Sequence, residues 1–136
     1  MMRTLIRDCR GGSLVEFALV APTFLMFLFL LLDGGRMVFT KQSLNEVATA
    51  TARCAAVKGT GCATAADAQS WAIARGRARD NLQVSSAVVD VVTCNGVANM
   101  SRATVSTTWK KGAMGLLPQS AVPSTLTSIA CFPIAS

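Results

Sequence analysis

The sequence predicts an α+β protein: a long N-terminal transmembrane helix that continues into a small outer domain with a second helix and a short antiparallel sheet. Three observations carry that reading. An apolar run lies near the N-terminus, helical spacing of apolar and small residues follows it to about residue 82, and valine-rich alternation around an Asn-Gly pair fills much of the rest. The chain has 136 residues, enough for one domain with an appended segment. Charged residues make up 15%, against roughly 25% in an average soluble domain, and mean hydropathy is +0.45.

The apolar run comes first. From Phe17 to Leu32 every residue is apolar except Thr23, and Pro22 is the only helix breaker. Extended back to Leu14, the stretch holds 19 residues and one charge, Glu16. As helix it reaches roughly 28 Å, close to the ~30 Å hydrocarbon core of a bilayer. No polar face recurs at helical spacing, which argues against a water-soluble amphipathic helix. Arg3, Arg7 and Arg10 precede the run, opposed by Asp8, while Asp33, Arg36 and Lys41 follow it. A short basic tail stays in the cytoplasm, so the remainder faces outward, in a bacterium the periplasm or cell surface. A removable secretory signal has an apolar region of about 7–15 residues and a small-residue cleavage site. Here the run is longer and ends Leu31-Leu32-Asp33-Gly34-Gly35, so the segment is expected to stay attached.

Beyond it, Val38, Leu44, Val47, Ala48, Thr51 and Ala55 predict an amphipathic continuation over 34–57. Lys58-Gly59-Thr60-Gly61 reads as a helix stop and turn. A second helix is expected over 63–82, with Ala65, Ala68, Ala72, Ile73 and Leu82 on its buried side. Residues 84–132 then read as strands. Val84, Val88, Val89, Val91 and Val92 form the first, Asn95-Gly96 the turn, and Ala103, Val105, Thr107 and Trp109 one face of the second. Pro118 and Pro123 mark a loop before a third strand over 126–132.

Several function classes drop away. The chain has no His, which removes Ser-His and Cys-His nucleophile pairs and the commonest metal ligand. Cys9, Cys54, Cys62, Cys94 and Cys131 include no C-x2-C pair of the zinc type. Asp67, Asp80 and Asp90 show no paired motif. No catalytic residue, metal or cofactor is expected. The net charge of +6 falls to +4 without Arg3, Arg7, Arg10 and Asp8. That excess, Lys110 and Lys111 included, could attract DNA, polysaccharide or anionic lipid, but no basic-aromatic interleaving supports base stacking, so no specific nucleic acid is expected.

Glu16 is the anomaly. A carboxylate inside an apolar run costs on the order of 2–3 kcal/mol and usually marks function, unless it snorkels to the headgroups. A basic leader, a glycine, four residues, Glu16-Phe17 and a long apolar helix resemble a type IVb (Flp-type) prepilin. Residues 11–53 more closely resemble the TadE-like family of minor pilins, or pseudopilins, of tight-adherence systems. The resemblance runs through Val15-Glu16-Phe17-Ala18-Leu19-Val20-Ala21-Pro22, the Gly35-Arg36 pair and the Gln42-Ser43-Leu44-Asn45 continuation.

The resemblance implies a prepilin leader over 1–11, a transmembrane helix over 12–33 and a periplasmic pilin-like domain over 34–136. It implies cleavage by a prepilin peptidase after Gly11, with Glu16 fifth in the mature chain; a cut after Gly12 would make it fourth. Glycine there lets a protease approach the backbone closely. Glu16 would pair with the N-terminal amine of a neighbouring subunit, offsetting the desolvation of both charges. Pro22 removes one helical hydrogen bond and would let the helix bend on leaving the bilayer. Expected partners are the lipid bilayer, the major Flp pilin, other minor pilins and the inner-membrane assembly platform.

With Cys9 in the cytoplasmic leader, four cysteines remain in an oxidising compartment and allow three connectivities. Cys54–Cys62 across the turn and Cys94–Cys131 between first and last strands are favoured. The expected function is to help initiate or stabilise Flp-pilus assembly at the inner membrane and so support surface attachment. The rivals are an uncleaved membrane-anchored periplasmic protein and a pilus-tip module that binds DNA or polysaccharide.

Overall fold

The computed structural model describes residues 12–80, 82–110, 112 and 122–134. Residues 1–11, the expected leader with Gly11 and Cys9, and also Lys111 and Pro118, lie outside the described residues. Five elements follow in order: α1 (Gly12–Ala56), α2 (Ala65–Asp80), β1 (Val84–Cys94), β2 (Val97–Thr108) and β3 (Thr125–Pro133). The 45 residues of α1 would span about 68 Å. Gly34 and Gly35 sit within it without ending it.

Helix ends are set locally. Lys58 takes a left-handed φ of 48°, and the last turn closes as Gly59 N donates to Cys54 O at 2.9 Å and Lys58 N to Ala55 O at 3.2 Å. This paired pattern terminates α1 with lysine where glycine is commoner. Thr64 caps α2: its Oγ1 accepts from Asp67 N at 3.1 Å and donates to Asp67 Oδ2 at 2.8 Å. The hairpin turn has φ of 51° at Asn95 and 82° at Gly96, the pairing expected of a two-residue loop between twisted strands.

The sheet is an antiparallel meander in the order β1-β2-β3. One face packs on the outer half of α1 and on α2. Leu44, Val47, Ala48, Ala72, Leu82, Ala87, Val105 and Leu126 form the core, with Met37, Val84, Trp109 and Ala130 against it. Ala48, Ala52, Ala56, Ala68 and Ala72 are all buried on the two helices, so α1, α2 and the sheet can approach closely. The small inward side chains of Ser101 and Ala103 suit the same approach.

The burial departs from expectation at several residues. Ala65 is exposed because it opens α2 beside its cap, and Val38 is exposed because it faces away from the core that its neighbour Met37 packs against. Val88 and Val91 are also exposed; in β1 the fully buried residues are Ala87 and Cys94. β2 starts at Val97 rather than near residue 102, because the two-residue turn leads directly into pairing. The structure joins Cys54 to Cys62 and Cys94 to Cys131, with Cα separations of 5.8 and 6.5 Å.

Candidate functional site

The N-terminal half of α1 is an extended uncovered apolar surface. None of residues 12–32 is buried, and Leu14, Phe17, Leu19, Phe24, Phe27 and Leu31 are all at least 60% exposed. A helix face packed on protein would show a buried stripe, and here apolar side chains project all round. Among the described residues this is one helix long and apolar enough to cross a membrane. Its other half is held by the sheet and α2, so the exposed part continues directly from a packed element.

Gly12 opens the helix, with no atom within 4 Å of where a Cβ would stand. Glu16 lies one turn on and is exposed, as is Phe17. An N-terminal group near Gly12 and the Glu16 carboxyl would share one helix face at i, i+4 spacing. Pro22 lies inside α1 and cannot donate to the carbonyl four residues back. Beside it, Thr23 Oγ1 donates to Leu19 O at 3.2 Å. A missing amide and a back-bonding threonine in the same turn make this the point at which α1 bends most readily.

The comparison with protein families bears on this helix. Residues 11–53 match the TadE-like protein family. The matched stretch takes in α1 from Gly12 to Arg53, including Glu16, Phe17 and Pro22, and stops short of α2 and the sheet. No curated protein and no solved structure matches the chain. The TadE-like segment is therefore the membrane-length helix with the part of α1 that anchors it in the outer domain.

Three features of the outer domain were not legible in residue spacing alone. Arg102 donates to Asp90 across β1 and β2, with Nε 3.0 Å from Oδ1 and Nη2 closing the second arm on Oδ2. This hydrogen-bonded ion pair holds the Asp90 carboxyl below the usual range and raises Arg102. Between α1 and α2 lies a cleft of about 530 Å³, lined by Glu46, Thr49, Arg53, Val57, Trp71 and Arg75. The Arg75 guanidinium stands 5.5 Å from the Trp71 ring centroid there. Finally, Gly112 lies against Asp33 on α1. No group of three or more His, Cys, Asp or Glu is placed to hold a metal among the described residues.

Proposed function

We propose that the chain is a membrane-anchored minor pilin-like protein that helps initiate or stabilise the assembly of a tight-adherence pilus at the inner membrane. The observation that carries this reading is the uncovered apolar half of α1, with Glu16 near its start, continuous with a half packed in a folded domain. The match of residues 11–53 to the TadE-like family supports it. The helix holds the protein in the bilayer with its N-terminus cytoplasmic and its domain periplasmic. A prepilin peptidase cuts at Gly11 or Gly12. Glu16 then pairs with the new amine of a neighbouring subunit, and the exposed apolar face packs against the helices of the major pilin, other minor pilins and the assembly platform. Attachment to surfaces is a property of the assembled fibre.

Intact mass and N-terminal sequence of the chain recovered from membranes, with and without the peptidase, test this directly. A start at Gly12 or Ser13 that requires the peptidase is expected. An uncut terminus in the presence of the peptidase would leave a plain membrane anchor and sink the role of Glu16. A start beyond Leu32 would mean a released outer domain.

A further inference from the structure

The contact between Gly112 and Asp33 places Gly112 beside the end of the apolar run. A methyl group built on Gly112 would stand 2.6 Å from Asp33 Oδ2 and 2.7 Å from Oδ1, so the Gly112 backbone rests directly on that carboxyl. Asp33 is the first residue after Leu32, where the apolar run ends. Lys110, two residues before Gly112, is exposed and lies within about 7 Å of extended chain of the contact. Its own position is fixed from the other side, because Trp109 N donates to Ser124 O at 2.8 Å and the Trp109 ring packs on the core. On α1, Arg36 is exposed three residues beyond Asp33, roughly 4.5 Å further along the axis.

We propose that Arg36 and Lys110 form a clamp for anionic phospholipid headgroups in the leaflet from which α1 emerges, setting the outer domain at a defined height and tilt on the bilayer. The inference rests on the reading that residues 12–32 span the membrane. With the hydrocarbon boundary at Leu32, both cations fall in a headgroup band about 5–8 Å thick. Asp33 is the one acid among the described residues of the cluster, against Arg36 and Lys110. The balance at this level is positive, opposite to phosphate diesters. Long basic side chains also keep their stems on apolar surface while their heads reach the phosphates. A minor pilin held in this way presents its cleft and sheet at constant orientation before it is drawn out of the bilayer. Extraction then breaks the headgroup contacts along with the apolar ones.

The test uses the full chain with Trp71→Phe, leaving Trp109 as its tryptophan. It is reconstituted in phosphatidylcholine vesicles doped with phosphatidylglycerol or phosphatidylcholine carrying the same shallow spin label. Trp109 quenching is expected to show the anionic lipid enriched about fivefold over the neutral one, from one net basic charge near the surface. The preference should fall with added salt and vanish in Arg36→Gln/Lys110→Gln. Lys58→Gln, just past the far end of α1, should keep it. Equal quenching by the two lipids, or a preference that survives in the double variant, overturns the clamp. Alkaline extraction reports insertion separately. An extractable chain defeats the membrane-spanning reading and the clamp with it, whereas an inserted chain without lipid preference defeats the clamp alone.

Discussion

Asp90 and Arg102 stand opposite each other on β1 and β2, and the guanidinium grips the carboxylate with two nitrogens, Nε donating at 3.0 Å. A regular hairpin closed by Asn95-Gly96 would have put Ser101 opposite Asp90. An extra residue in β2, where Asn99 takes a left-handed φ of 57°, shifts the register by one between Val92 and Cys94. Asp90 thereby gains Arg102 as its partner, and Ser101 turns inward with Ala103 and Val105.

Stability should depend on Asp90 in acid. Its folded carboxyl is depressed below the unfolded value, chiefly by the hydrogen bond from Arg102. The pair's contribution is therefore full above the unfolded carboxylate range and is lost as pH falls through the folded one. Thermal unfolding across that range should show a shallower acid limb in Asp90→Asn than in the unchanged chain. At neutral pH the variant should lose little, since both side chains are more than a third exposed.

Gly76→Ala separates helix propensity from packing. Propensity alone favours alanine in α2 by about 1 kcal/mol. The added methyl would stand 2.7 Å from Val84 Cγ2 and 3.3 Å from Leu82 O. A β-branched side chain and a backbone carbonyl yield poorly, so packing should win with a net loss of about 1–2 kcal/mol in denaturant unfolding.

The two disulfides should differ in weight. Cys94–Cys131 has a sequence separation of 37 and Cys54–Cys62 one of 8. Chain-entropy estimates are about 4 and about 2.5 kcal/mol respectively. Replacing Cys94 and Cys131 by serine should lower the denaturation midpoint more than replacing Cys54 and Cys62.

Leu44 and Val88 should respond very differently to truncation. Leu44 is fully buried between α1 and the sheet, whereas Val88 is 51% exposed on the outer sheet face. Leu44→Ala should cost about 2–5 kcal/mol, and Val88→Ala should stay within about 0.5 kcal/mol in the same unfolding experiment.

Much of the architecture was readable because its signals are local. The stop after α1 lies at Lys58-Gly59, the hairpin at Asn95-Gly96, and the inward row of β2 at Ala103, Val105 and Thr107. Less readable were the sides of elements that depend on what covers them. Valine type marks β1 as strand, yet Val88 and Val91 are exposed while the smaller Ala87 is buried. Ala65 follows the periodicity of α2 but occupies its uncovered first turn. At the candidate site, Glu16 and Pro22 stand out in the sequence because each violates the run around it. The Asp33–Gly112 contact joins residues far apart in the chain and has no such mark.

By itself the sequence determined the long apolar helix, its charged flanks and the elements that follow. Those properties depend on residue type and near-neighbour spacing. Only the tertiary structure decided that Asp90 meets Arg102, that Ala48, Ala72 and Ala87 sit in the core beside Leu44 and Val105, and that Gly112 rests on Asp33. A single extra residue in β2 changes every facing pair from Val92 to Ser86, and the closeness of two helices to a sheet is set by all their contacts at once. Such choices minimise the free energy of the whole packed domain, so no short stretch of sequence carries them.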